Sequence, residues 1–144
     1  MTVETRRATV ADAAAIRALS RDGLGYDQPL AATRDALEDA LASGRELVVV
    51  ATIDDEVVGY CHAEDYRLLY APPMVNVLGI AVAKGARRRG VGSQLLEAVE
   101  QWARGRGATA IRLVSGESRD DAHAFYARAG FRETKRQLTF RLPL

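Results

Sequence analysis

The run Val82-Ala83-Lys84-Gly85-Ala86-Arg87-Arg88-Arg89-Gly90-Val91-Gly92-Ser93 decides the fold. Before it, Met74 to Val82 is nearly all apolar, the pattern of a strand covered on both faces. After it, Gly90 to Arg104 places Val91, Leu95, Val99 and Trp102 on one helical stripe, with Gly105 and Gly107 suited to its C-terminal cap. Lys84 to Arg89 is a basic loop between the two. A buried strand that turns through glycines and arginines straight into a helix makes an anion site. The first N–H groups of the helix have no internal partners, and the positive end of the dipole lies there. Glycines let the backbone come close to an anion. A basic, solvated loop ahead of an ordinary helix is the plain alternative.

Two common nucleotide loops fail on single residues. A P-loop needs Lys after its second glycine, and Val91 follows Gly90. A dinucleotide fingerprint needs a glycine three residues after Gly92, where Leu95 stands.

Outward from this run the elements alternate. Val3 to Arg7 reads as a strand. Asp12 to Ser20 reads as a helix with Ala15, Ile16 and Leu19 on its apolar side. Gly23 to Pro29 is a loop, and Leu30 to Leu41 is a second helix ended by Ser43-Gly44. Glu46 to Ile53 and Val57 to about Asp65 are strands joined by a tight turn at Asp54-Asp55. Tyr66 to Pro73 is irregular, since Pro72-Pro73 cannot enter a central ladder. Thr109 to Val114 is a further strand. Ser118 opens a helix, with Asp121 at capping-box spacing, lined inside by Ala122, Phe125, Tyr126 and Ala129. Phe131 to Arg136 and Leu138 to Leu142 read as the last two strands. Mixed strands and helices make an α/β or α+β sheet protein.

The 144 residues are 48% hydrophobic and 27% charged, which suits one folded domain over 1–144. A net charge of +1 gives no bulk field toward nucleic acid or membrane. Nucleic-acid binding through Arg87, Arg88, Arg89, Arg104 and Arg106 is therefore disfavoured. The single cysteine, Cys61, permits no intrachain disulfide and no cysteine zinc site. There is no apolar leader and no run of about 18 apolar residues, so the expected compartment is the cytoplasm.

The spacing Arg87-x-x-Gly90-x-Gly92 resembles the GNAT (GCN5-related N-acetyltransferase) family. That family's coenzyme A loop is Arg/Gln-x-x-Gly-x-Gly/Ala between a strand and a long helix. A second stretch, Arg119 to Phe131, resembles the family's helix with an aromatic-Tyr pair followed by Gly-Phe. Arg6-Arg7-Ala8 with Asp12 is similar to its first strand and helix. The resemblance covers essentially the whole chain. It implies a mixed, mostly antiparallel sheet of about seven strands flanked by four helices. It also implies transfer of an acetyl group from acetyl-coenzyme A, as co-substrate and without a metal, to a small-molecule or peptide amine. The attack is direct, within a ternary complex, by a monomer or homodimer. A catalytically silent acyl-coenzyme A sensor is the competing function.

Site residues follow from the same resemblance. Main-chain N–H groups of Arg87, Arg88, Arg89, Gly90, Val91, Gly92 and Ser93 hold the pyrophosphate. Ile80, Ala81 and Val82 pair with the pantetheine arm, and Arg119, Ala122 and Phe125 border the cofactor. Tyr126 is either a core aromatic or the acid that protonates the coenzyme A thiolate. A phenol of ordinary pKa, about 10, stays protonated at neutral pH and can donate. Many family members carry a carboxylate on the strand before the loop, whereas this sequence has Asn76, Leu78, Gly79 and Ile80. The base is therefore sought elsewhere. Glu64 is the first candidate, with Asp65, Glu117, His62 and a water chain as others. His62 and Glu64 share a strand face with Tyr60, and Asp65 faces away. Gly79 marks either a bulge that opens the sheet or a close-packing site. Tyr26, Asp27, Tyr66, Arg67 and Tyr70 are the expected acceptor lining, or a dimer face.

Overall fold

The apolar spacings become five strands and three helices in the first of two units. The computed structural model describes residues 2–144. One unit runs to Val114, and the other spans Ser115–Leu144. The strands are β1 (Val3–Arg7), β2 (Glu46–Ile53), β3 (Glu56–Tyr66), β4 (Met74–Val82) and β5 (Ile111–Leu113). They lie in sequence order in one sheet. Neighbours are antiparallel from β1 to β4, and β5 runs parallel to β4. Asp54 and Asp55 both take positive φ, 51° and 64°. That is the type I′ geometry whose twist matches a two-residue hairpin.

Helices α1 (Ala13–Leu24) and α2 (Leu30–Ala42) cover one face of the sheet. Their buried residues Ala13, Ile16, Leu19, Leu37 and Ala40 join Val48, Val50, Tyr60 and Ala81 in one apolar cluster. Ala13, not the expected Ala15, completes the α1 stripe. Helix α3 (Val91–Gly105) packs against β1 to β4 through Val91, Leu95, Leu96, Val99 and Ala103. Trp102 lies at the margin of that stripe, with the Arg106 guanidinium 4.7 Å over its ring. Helix α3 packs tightly over Gly59 of β3. A Cβ there would lie 3.0 Å from Val91 Cγ1 and 3.2 Å from Leu95 Cδ1, which only glycine avoids.

Asp12 ties β1 to the start of α1. Its carboxylate accepts from Arg6 Nη1 at 2.8 Å, Arg6 Nη2 at 2.9 Å and the Thr9 N–H at 2.8 Å. The paired guanidinium holds this buried carboxyl below the usual carboxylate range. Its stabilisation is therefore fully present above about pH 4 and fades as pH falls through the lowered folded value. Asp12→Asn is expected to cost about 2 kcal/mol at pH 7, and less in acid. Urea denaturation at pH 7 and pH 3 measures both.

The second unit holds α4 (Asp120–Arg128). Its N-cap is Arg119 with no side-chain cap bond, so the Ser118–Asp121 capping box does not form. Residues 131–144 contain no strand, so the described residues make a five-stranded sheet rather than about seven. Leu138, Phe140 and Leu142 alternate as a half-buried strand would, yet all three are exposed. Alternation alone does not make a strand, because the backbone needs a ladder partner.

Candidate active site

The basic loop has the backbone geometry that an anion cradle requires. Gly90 caps α3 at φ +79°, and no side chain caps that helix start. Arg88 also takes the left-handed region, at φ 65°. Helix geometry leaves the N–H groups of Val91, Gly92 and Ser93 without intrahelical acceptors. Gln94 is the first to bond back, to the Gly90 carbonyl at 3.0 Å. The Arg87 N–H instead closes the preceding turn onto Lys84 O at 3.4 Å. These residues fit a pyrophosphate: open donors, no competing cap, and exposed arginines around them.

The strand that feeds the loop is open on one side. β5 pairs with β4 only at Val75, Asn76 and Val77. From Leu78 to Val82, β4 has no ladder partner there among the described residues. The divergence begins at a bulge. His62 pairs with Gly79 and Ala63 with Val77, which leaves Leu78 as the extra residue. The bulge reading of Gly79 thus holds. An open strand edge of amide groups suits pairing with the amides of a pantetheine arm.

One ladder row crosses the sheet at the same level: Glu46 opposite Glu64, Glu64 opposite Asn76, Asn76 opposite Arg112. Glu64 Oε2 accepts from Asn76 Nδ2 at 2.9 Å, and Arg112 Nη1 donates to Asn76 Oδ1 at 2.7 Å. The Arg112 guanidinium also lies 4.5 Å over the Tyr66 ring. Beside the row, His62 Nε2 stands 2.8 Å from Glu46 Oε1. Two facing carboxylates repel. Here each has its own donor, His62 for Glu46 and Asn76 for Glu64. Tyr60, next on the same face, is core: Ser20 Oγ donates to Ile16 O at 2.8 Å, so the Tyr60 hydroxyl donates to Ser20 Oγ at 2.7 Å. Burial pushes the Tyr60 phenol up.

The other base candidates are occupied. Asp65 faces α3, where Arg106 holds it by two hydrogen bonds and keeps its carboxyl low. Glu117 lies in the second unit, 3.3 Å from Arg136. Cys61 is fully buried with its thiol pushed up to about 12, so it is no nucleophile. Asp27 of the expected acceptor lining is held by Arg17. In α4, the Tyr126 ring lies 5.4 Å from that of Phe125 and 5.9 Å from that of Phe131. Arg119 and Ala122 stand at the start of the same helix, and His123 Nε2–H donates to the Gly116 carbonyl at 2.8 Å. Sequence reasoning missed Glu46 and Arg112 and noted Asn76 only as a missing acid. Among the described residues, no group of three or more His, Cys, Asp or Glu could hold a metal ion. Among the described residues, no helix is long and apolar enough to cross a membrane.

A glycine-rich helix start, an open strand edge and a row of hydrogen-bonded polar side chains thus lie on the first unit. A family model, Acetyltransferase (GNAT) family, matches residues 13–131, and the chain belongs to that family. It is 34% identical over 96% of its length to 92% of the aminoglycoside N(6')-acetyltransferase type 1 of Stenotrophomonas maltophilia. It is 30% identical over 94% of its length to 89% of the aminoalkylphosphonate N-acetyltransferase of Salmonella typhimurium. The fold matches that of AAC(6')-Iy, solved with the bisubstrate analogue CoA-S-monomethyl-acetylneamine, at TM-score 0.89 and 22% identity, each chain covered in full. The chain is thus an N-acetyltransferase that uses acetyl-coenzyme A as co-substrate and acetylates an amine.

Proposed function

We propose that the acceptor is a small polyamine sugar of the aminoglycoside class, acetylated on a primary amine. The observation that carries this is the 34% identity to an aminoglycoside acetyltransferase over nearly the full length of both chains. The Glu46 and Glu64 carboxylates support it, since a polycationic acceptor is drawn to them. In this reading the two units work as one domain over 1–144, because the family match runs across their boundary. The enzyme acts in the cytoplasm, as a monomer or homodimer, and with a net charge of +1 takes no nucleic acid as partner.

Acetyl-coenzyme A supplies the thioester. The N–H groups of Arg88 to Ser93 hold its pyrophosphate, helped by the Arg87, Arg88 and Arg89 charges. The open edge at Ile80, Ala81 and Val82 aligns the arm. Arg119, Ala122 and Phe125 border the cofactor. Tyr126 gives a proton to the departing thiolate. The amine is deprotonated on the face that carries His62 and Glu64.

Coenzyme A release tests the acceptor class, with aminoglycosides, aminoalkylphosphonates, amino acids, polyamines and peptide N-termini compared at equal concentration. The expected result is release with aminoglycosides, at a kcat/KM at least about tenfold above any other class, a difference of about 1.4 kcal/mol in transition-state binding. Preference for another class overturns it.

A further inference from the structure

We infer that His62, held by Glu46, is the base that takes the proton from the acceptor amine. This rests on the reading that acetyl transfer occurs at the open half of β4.

The placement follows from the loop. With the pyrophosphate at the start of α3, an arm lying along β4 from Val82 runs back toward Gly79. Three residues of strand span about 10 Å. The reacting end therefore comes to the bulge, and His62 is the residue paired with Gly79 there. Directly paired residues share a face, with side chains about 5 Å apart. Gly79 has no side chain, so nothing on β4 stands between its open edge and the imidazole. A Cβ at Gly79 would point among Tyr60 OH at 3.6 Å and Leu24 Cδ1 at 3.7 Å, toward the α1 side that His62 shares.

The imidazole is oriented for the task. A carboxylate only accepts, so Nε2 carries the hydrogen that bonds Glu46 Oε1, and Nδ1 keeps the lone pair. The His62 and Glu46 side chains are 30% and 27% exposed, so an acceptor can reach them while the pair stays ordered. The other charges near the ring are accounted for. On β3, Glu64 is held by Asn76, and Tyr60 donates to Ser20. On β5, Arg112 is engaged by Asn76 and the Tyr66 ring. On α1, Arg17 is bound to Asp27 and Arg21 to Asp22. The buried side of α2 is Leu37 and Ala40, without charge.

In the step, the amine nitrogen forms a bond to the acetyl carbonyl carbon and loses one proton to His62 Nδ1. The carbon–sulfur bond breaks, and the thiolate leaves with its electron pair and is protonated. Glu46 stabilises the imidazolium as a positioning residue.

The test has two arms. In the first, kcat and KM are measured across pH 5 to 9.5 for the parent, His62→Gln, Glu46→Gln and Glu64→Gln. His62→Gln is expected to lose about 100-fold in kcat with little change in the KM for acetyl-coenzyme A. It also loses the acid limb of the profile. Glu46→Gln is expected to lower kcat by about tenfold, because the imidazole loses the carboxylate that fixes its tautomer. An acid limb that survives in His62→Gln, or one lost in Glu64→Gln instead, overturns the assignment. In the second arm the histidine ring nitrogens of the free protein are read by NMR at neutral pH. The chain has two histidines, His62 and His123, so His62→Gln assigns the ring signals. The parent His62 ring is expected to carry its hydrogen on Nε2, and a ring that carries it on Nδ1 overturns the pairing. A parent protein that acetylates no amine defeats the functional reading, and the ring-nitrogen spectrum of the free protein still decides the dyad.

Discussion

Tyr126→Phe is expected to lower kcat by about 100-fold or more while leaving the affinity for acetyl-coenzyme A within about twofold of the parent. A positioned acid contributes roughly 10²–10⁴ in rate. The substitution removes one oxygen and keeps the ring. Packing against Phe125 and Phe131 therefore survives, as does the bond from the Phe131 N–H to the Tyr126 carbonyl at 3.0 Å. The loss should appear in kcat rather than in binding, because the proton is needed only as the thiolate departs. Steady-state kinetics beside calorimetric titration of acetyl-coenzyme A separate the two. A Tyr126→Phe enzyme with the parental kcat removes the acid role and leaves Tyr126 a packing partner of Phe125 and Phe131.

Leu95→Ala should be the most damaging change to the first unit, at about 3–4 kcal/mol. Leu95 is fully buried and among the largest side chains with no exposure. It sits at the centre of the α3 stripe, between Val91 and Val99. Part of its contact with the sheet lies over Gly59, which has no side chain to fill a void. The cavity therefore stays open, and that incomplete collapse places the cost in the upper range. Thermal denaturation should show a midpoint lower by about 10 °C or more. Because α3 also presents the anion cradle, acetyl-coenzyme A should raise the midpoint of the variant as it does that of the parent. A cost under about 1 kcal/mol would mean that α3 is not held as described.

Much of the fold was legible because it rests on local signals. The spans of β2 and β4 follow directly from their apolar runs. Asp54-Asp55 marks a hairpin because two consecutive left-handed residues are tolerated best by Asn, Asp and Gly. The loop from Lys84 to Ser93 is legible for the same reason: glycine positions and charge are written in order along the chain. The C-terminal strands were misread because Leu138, Phe140 and Leu142 carry the period of a strand without its ladder. Periodicity reports which face a segment could bury, and pairing depends on what lies beside it.

The sequence by itself determined the order of elements, the anion loop between β4 and α3, and the candidates His62, Glu64 and Tyr126. It could not place Glu46. The turn pairs Ile53 with Glu56 and Thr52 with Val57, and an unbroken ladder would carry Glu46 to a place opposite Ala63. A bulge at Val58 shifts the register, so that Glu46 meets Glu64 instead. One residue of slip moves a side chain to the other face of a sheet. Without it Glu46 would point away from His62. The bulge at Leu78 does the same for Asn76, which would otherwise pair with Asp65 on the α3 face. Two single-residue insertions thus assemble the polar row and set the glycine opposite the imidazole. Only the tertiary structure decides them, because a bulge is chosen by how the whole sheet packs against its helices, not by the residues that form it.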